Sequence, residues 1–242
     1  MRSILWLGLG LIATPASAHK PFFSDGQYGT SEQAWTIENP DISIVLYHNV
    51  TCEQPVLWLR YEVDEPTEVF VQLGVPLIDR LAQYEPALGV VHEQASQDES
   101  TPFAIPDGMG LERLAVSGER ELFFEPFTQT QSWILIERKV AVPAGVGYLA
   151  AWSPTGETGK LWVAVGETEQ FGSDDWANAP NWLGDARFFH EAGSGPAVDP
   201  VEQVCGAETP AGCSAAAAPG WWLFLGALAL RRRRQGATSG ER

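Results

Sequence analysis

Short apolar segments rich in β-branched and aromatic residues recur between residues 42 and 165, and turn-forming pairs such as Asn39-Pro40 and Asp107-Gly108 separate them. The segments are 42–47, 56–61, 69–73, 88–91, 111–116, 122–124, 133–136, 148–152 and 161–165. Segments of this length and composition predict β-strands. Eight or nine of them in succession predict a mostly β fold, an antiparallel β-sandwich of jelly-roll-like type.

The end of this region predicts a meander followed by a helix. The last three segments are joined by short turns at Ala144-Gly145 and 154–156, which favours neighbouring strands in one sheet. Residues 173–191 predict a C-terminal helix with Ser173 as N-cap, and Pro180 is expected to split it. We expect this helix to cover one end of the sandwich.

The first 18 residues have the three parts of a secretory signal peptide. Arg2 supplies a positive charge, residues 4–13 are apolar, and Ala16-Ser17-Ala18 is a cleavage site of small residues. Cleavage by signal peptidase after Ala18 makes His19 the first residue of the mature chain. An uncleaved anchor or a buried helix is the alternative.

The C-terminal region changes composition twice. Residues 193–212 are rich in Gly, Pro and Ala and predict a flexible stalk. Gly212-Cys213-Ser214 then precedes the apolar segment 215–230, which is barely long enough to cross a bilayer as a transmembrane helix. Four arginines, 231–234, follow it and predict a cytoplasmic tail at 235–242.

This order of Gly-Cys, short hydrophobic helix and arginine run resembles the MYXO-CTERM sorting signal of myxobacteria, over residues 212–234 only. The resemblance implies cleavage near Cys213 by a membrane-embedded sorting protease and lipid modification of that cysteine. It also implies a protein anchored at the cell surface or outer envelope of a Gram-negative bacterium. A plain single-pass anchor is the alternative.

Between these ends, residues 19–192 form the predicted exported domain. Export places Cys52 and Cys205 in an oxidising compartment, where they can pair and tie the stalk to the domain. A Cys205–Cys213 bridge and a buried unpaired Cys52 are the competing arrangements, because spacing alone does not determine connectivity.

Charge and motifs exclude several function classes. The chain carries 31 acidic and 15 basic residues, a formal net charge of −16, and six of the basic residues lie at its two ends, at Arg2, 231–234 and Arg242. Such an acidic surface repels phosphate backbones, so we expect no nucleic-acid binding. No GxSxG, HExxH, P-loop, GxGxxG or EF-hand sequence is present, so no familiar catalytic class has local support.

The chain has four histidines, and His19 has special chemistry if it becomes the N-terminus. A terminal histidine offers both an α-amine and an imidazole to one metal ion, as in the histidine brace of copper-dependent polysaccharide monooxygenases, and tetragonal nitrogen ligation suits Cu(II). The candidate partners are His48, His92 and His190. A disordered N-terminus without a metal is the alternative.

Acidic residues are the other candidate chemistry. Glu119, Glu121 and Glu125 cluster near three phenylalanines, and loop carboxylates are typical ligands of calcium. A glycan-active enzyme needs two facing carboxylates, which a sequence does not reveal.

We therefore predict a non-enzymatic surface module that binds an unidentified extracellular ligand. The alternatives are a copper-binding protein or oxidase that uses His19 and a glycan-active enzyme with a carboxylate pair.

Overall fold

The computed structural model describes residues 19–96, 101–116, 118–192 and 204–205. Within them the fold is mostly β, with two sheets and one helix, and is consistent with a β-sandwich. The elements are β1 (Lys20–Phe23), β2 (Trp35–Thr36), β3 (Ile44–Val50), β4 (Val56–Val63), β5 (Thr67–Pro76), β6 (Ala87–His92), β7 (Gly110–Arg113), β8 (Glu121–Glu125), β9 (Thr130–Val142), β10 (Gly145–Trp152), β11 (Gly159–Val165) and α1 (Ser173–Phe189). Two short 3₁₀ turns lie at Ser31–Gln33 and Asp79–Leu81.

Sheet A has the strand order β1-β3-β11-β5-β9-β8, and sheet B has the order β2-β4-β10-β6-β7. Each of the nine predicted segments corresponds to a strand, β3 to β11. The two strands that the sequence pattern did not predict are β1 and β2, which have four and two residues and lie at sheet edges. Strands this short carry too little alternation to be recognised from sequence.

The edge strands also correct the prediction of a purely antiparallel sandwich. β1 pairs with β3 in parallel, and β2 pairs with β4 in parallel, whereas the other ladders are antiparallel. In each parallel pair a connection of more than ten residues separates the two strands along the chain. A connection of that length allows the parallel arrangement, which a tight hairpin forbids.

The predicted meander of the last three strands is wrong. β9 and β11 lie in sheet A, but β10 lies between β4 and β6 in sheet B. The chain therefore crosses from one sheet to the other at each turn. β10 is the central strand of sheet B, paired with β4 and with β6, and its residues 149–152 are buried on both faces of the sheet.

Alternation along the strands builds a core between the sheets and a second apolar layer on the outer face of sheet A. In β11, Leu161, Val163 and Val165 face the core, whereas Trp162 and Ala164 face outward. The outward side chains pack with Ala186 and Phe189 of α1. A third cluster on the outer face of sheet B contains Trp58 and Trp152 and is covered by Phe103 and its neighbours.

Helix α1 lies against this outer face of sheet A, and not at an end of the sandwich as expected. It also runs unbroken through Pro180, which is exposed. Its N-cap is Gly172 and not Ser173, and the Gly172 N–H donates to the Asp175 carboxylate at 2.9 Å. The helix continues beyond the proline because Ala186 and Phe189 in its last turns are buried against the sheet.

A disulfide joins Cys52 to Cys205, with 5.3 Å between their Cα atoms. The Cys205 N–H also donates to the Gly156 carbonyl at 2.8 Å, so the bridge holds residue 205 against the domain.

None of the helices in the described ranges is long and apolar enough to cross a membrane. The predicted signal peptide, the sorting signal, the tail and most of the stalk lie outside those ranges.

Candidate functional site

A pocket of about 20 Å³ opens on the outer face of sheet A, beside the C-terminal end of α1. We call it the outer-sheet pocket. Its floor is formed by Tyr47 of β3, Trp162 of β11 and Ser132 of β9. His19 at the start of the described chain and His190 at the end of α1 also line it.

The floor depends on a glycine in the neighbouring strand. A Cβ atom built on Gly74 would lie 2.1 Å from Cζ2 of Trp162, so only glycine leaves room for the indole on this face. With the indole in this place, its Nε1–H donates to Ser132 Oγ at 3.0 Å. Because Gly74 has no side chain, the Trp162 indole can lie where its N–H reaches the Ser132 hydroxyl.

His190 continues this chain of hydrogen bonds. Its Nδ1 lies 2.8 Å from the Ala186 carbonyl, which only accepts, so Nδ1 carries the proton. Nε2 then accepts from Ser132 Oγ–H at 3.1 Å. Burial lowers the pKa of His190 to about 4, so the imidazole is neutral at pH 7.

His19 lies at the rim, where β1 begins. The side chain is half-buried, and this desolvation lowers its pKa to about 4, against the opposing effect of Glu169. The next residue, Lys20, holds the rim to α1 through an ion pair with Asp175 at 2.6 Å. The segment around His19 is therefore tied to the sheet and to the helix.

The hairpin between β8 and β9 forms another part of the lining. Phe127 and Thr128 of its loop line the pocket, and Gln129 takes the left-handed conformation, φ 55°, that lets the chain return. Arg187 of α1 donates to the Thr128 carbonyl at 3.3 Å. The loop and the last turn of the helix are thereby linked.

The pKa values of two further groups in the pocket, Glu125 and Tyr47, are raised. Burial raises the pKa of Glu125, and the neighbouring Glu169 raises it further, whereas the Phe127 N–H bonded at 3.0 Å opposes the change. Burial and the Glu125 charge raise the pKa of Tyr47 well above its ordinary range. The pocket therefore favours neutral forms of its lining groups.

The other two histidines lie elsewhere. His48 faces the core and is satisfied by Ser24 Oγ at 2.9 Å and the Gln54 carbonyl at 3.1 Å. His92 ends β6 in sheet B, where its Nδ1 accepts from the Gln94 N–H at 3.2 Å. Of the four candidate metal ligands, the structure brings His19 and His190 to one pocket and leaves His48 and His92 apart from it.

In the described part of the chain, no group of three His, Cys, Asp or Glu side chains is placed to hold a metal ion. The processing residues Ala18 and Cys213 lie outside the described ranges.

Sequence reasoning missed Tyr47, Ser132 and Trp162 as pocket residues. Ser132 had a signal in the sequence, because Thr130 and Ser132 are polar residues at alternate positions in line with the apolar Ile134. The structure shows that all three are buried. A polar residue buried in a strand needs a partner, and here that partner is His190.

Comparisons with known proteins do not identify the chain. No protein-family model and no curated protein sequence matches it. Among solved structures, the pre-peptidase C-terminal domain of a collagenase from Bacillus anthracis is similar at a TM-score of 0.32 and 9% identity, over 55% of this chain and 94% of that domain. A likeness at this level assigns neither family nor function.

Proposed function

We propose that residues 19–192 are an exported, envelope-anchored binding module, not an enzyme, and that the outer-sheet pocket is its ligand site. The observation that carries this proposal is the convergence of polar side chains from five separate segments on one pocket. His19, Tyr47, Glu125, Ser132 and His190 meet there although up to 171 positions separate them in the chain.

Their surroundings support a binding role. Binding sites characteristically combine apolar walls with a few convergent polar groups and perturbed pKa values. Here Phe123, Phe127 and Trp162 supply apolar lining, and the pKa values of Glu125 and His190 are displaced by burial. A volume of about 20 Å³ admits an ion, one or two waters or the end group of a larger ligand.

Export and anchoring are part of the proposal. The Cys52–Cys205 disulfide supports export, because such bonds persist in oxidising compartments. The sequence of residues 212–234 supports sorting at Cys213 and membrane insertion through 215–230. Terminal-peptide mapping of the native protein from a membrane fraction tests both, and we expect a chain that starts at His19 and ends at a lipid-modified Cys213.

A mature chain that retains residues 231–234 would replace the sorting interpretation with a simple single-pass anchor. A mature chain that begins at a residue other than His19 would contradict the predicted cleavage. Recovery of the intact protein in the cytosol would contradict export itself.

The pocket provides its own reporter for ligand binding. The Trp162 Nε1–H donates to Ser132 inside the site, so its NMR resonance is sensitive to an entering ligand. Trp152 on the outer face of sheet B is a matched control indole. The full chain in detergent is titrated with metal ions, short glycans and peptides, and Trp162→Phe assigns the resonance.

We expect at least one ligand class to shift the Trp162 signal and leave that of Trp152 unchanged. Ligands that shift only Trp152 would place the binding site on sheet B and refute the pocket. Turnover of a glycan that shifts Trp162, if abolished in Glu125→Gln, would refute the non-enzymatic role and favour the carboxylate-pair alternative.

A further inference from the structure

Two of the four histidines line the outer-sheet pocket, and each has unusual donor chemistry. His19 gains a free α-amine if residues 1–18 are removed, so a site that uses this amine rests on the proposed export. His190 is held at the end of α1 with one ring nitrogen directed to the pocket side. Together the two residues offer three nitrogen donors: the α-amine and the imidazole of His19 and one ring nitrogen of His190. A site of this kind needs no third side chain.

The sheet limits how His19 can bind a metal. In a flexible peptide, Cu(II) also displaces protons from the backbone amides that follow a terminal amine. Here the Lys20 N–H donates to the Ser43 carbonyl at 3.0 Å within the sheet, and Pro21 has no N–H. Chelation by the chain start is therefore restricted to the α-amine and the imidazole of His19, which leaves coordination positions open to other groups.

The helix prepares His190 as a second ligand. Its Nδ1–H is bonded to the Ala186 carbonyl, which fixes the ring and leaves the Nε2 lone pair as the donor. A ring nitrogen bonded to a backbone carbonyl is the arrangement that typically orients a metal-bound histidine. Nε2 would exchange its hydrogen bond from Ser132 for the metal.

We infer that the mature domain binds one Cu(II) ion at the outer-sheet pocket through the α-amine and imidazole of His19 and Nε2 of His190. Cu(II) is the ion favoured by tetragonal nitrogen donors, and it binds such sites more tightly than other divalent first-row metals. Coordination releases one proton, from the α-ammonium of His19. The remaining lining oxygen groups include Glu125 and Tyr47.

The test uses the full chain, expressed with its leader so that export produces its own N-terminus, which mass spectrometry verifies. The protein is titrated with Cu(II) alone, and continuous-wave and pulsed EPR then report the geometry and the number of coordinated imidazoles. We expect one ion per chain, a tetragonal spectrum and two imidazoles.

Three variants separate the contributions of the ligands. A glycine inserted between Ala18 and His19 moves the amine away from the imidazole, and His190→Gln removes the second ring. Each should weaken Cu(II) binding at least about 100-fold, since even partners of a metal ligand contribute 10- to 100-fold. His92→Gln is the matched control and should bind Cu(II) as the unmodified chain does.

The pulsed EPR count needs no variant, so the test stands even if His190→Gln fails to fold. One imidazole, or binding unchanged by His190→Gln, would overturn the two-histidine site and leave only terminal chelation. No Cu(II) binding by a chain that starts at His19 would also overturn it. In both cases, a Trp162 shift with another ligand would still uphold the pocket as a binding site, so the two proposals fail separately.

Discussion

Trp162 shows how one residue connects the packing of sheet A to the chemistry of its pocket. Its ring fills the space left by Gly74, and its N–H holds Ser132, which in turn bonds His190. Each of these four residues is buried or lies within a strand. A substitution at Gly74, which lies on β5, is therefore expected to alter the pocket.

Gly74→Ala is predicted to destabilise the domain by about 1–3 kcal/mol, because the new methyl group overlaps the Trp162 indole. The measurement is chemical unfolding with a parallel record of the Trp162 indole resonance. Gly118→Ala is the control, since a Cβ there meets nothing within 4 Å. An unchanged midpoint for Gly74→Ala would contradict the close approach.

His48 is predicted to make stability fall in acid. Burial lowers its pKa from 6.5 to about 4, so the folded state binds its proton less readily than the unfolded state. The contribution of neutral His48 to the free energy of unfolding is complete above pH 6.5. It is lost as the pH falls from 6.5 towards 4, and the loss reaches about 3 kcal/mol at pH 4. Urea unfolding between pH 7 and pH 4 measures the combined loss, because the pKa values of His19 and His190 are lowered as well, and comparison with His48→Gln isolates the part due to His48.

His48→Gln should reduce that pH dependence, whereas Ser24→Ala retains the imidazole and should preserve it. The raised pKa of Glu125 acts in the opposite direction, since its contribution grows as the pH falls. Equal pH dependence in His48→Gln and the unmodified protein would show that His48 is not the titrating group.

At the level of elements, α1 packs on sheet A through its last turns, whereas Asp175 in its first turn is tied to Lys20. Ala186 and Phe189 pack on sheet A, Arg187 bonds the β8–β9 loop, and Glu191 beyond the helix pairs with Arg80 and Lys160. The first turns are mostly exposed, including Trp176 at 63% exposure. The anchored end is also the end that carries His190.

Pro180→Ala is predicted to stabilise the domain by about 1–3 kcal/mol. Pro180 lies in the interior of α1 and is exposed, so the substitution restores a backbone N–H and removes a helix-disfavouring ring. Thermal unfolding is the measurement, with Ala177→Gly as a helix control expected to lose about 1 kcal/mol. A lower melting temperature for Pro180→Ala would mean that the ring contributes contacts that the helix needs.

At the scale of the whole molecule, the described chain is layered: α1, sheet A, the inter-sheet core, sheet B and the segment around Phe103. The Cys52–Cys205 bridge adds a covalent link across a separation of 153 residues and holds the chain beyond α1 to the domain. Mechanical load on a membrane-anchored domain would enter through this link. This makes the disulfide the feature that connects the fold to its proposed anchoring.

Loss of the disulfide is predicted to destabilise the domain by about 4–5 kcal/mol, the chain-entropy value for so long a loop. Cys52→Ser, Cys205→Ser and the double variant should show equal losses, because all three remove the same bond. Cys213→Ser is the control and should leave unfolding unchanged. Additive losses in the double variant would contradict a Cys52–Cys205 bridge.

The sequence by itself determined the class of the fold and most of its strands. Segments such as 56–61 and 161–165 are apolar enough to be buried whatever their neighbours, so their strands followed from local composition. Trp182, Ala186 and Phe189 stand at positions i, i+4 and i+7, a spacing that places them on one face of a helix, and Ala186 and Phe189 are buried.

Only the tertiary structure decided which sheet each strand joined and which histidines met. Strand pairing depends on long-range contacts, so the assignment of β10 to sheet B and the parallel edges had no local signal. The pocket unites residues from both ends of the domain, and His19 is 171 positions from His190. Their proximity comes from the packing of β1 and α1 on sheet A, which no pattern along the chain expresses.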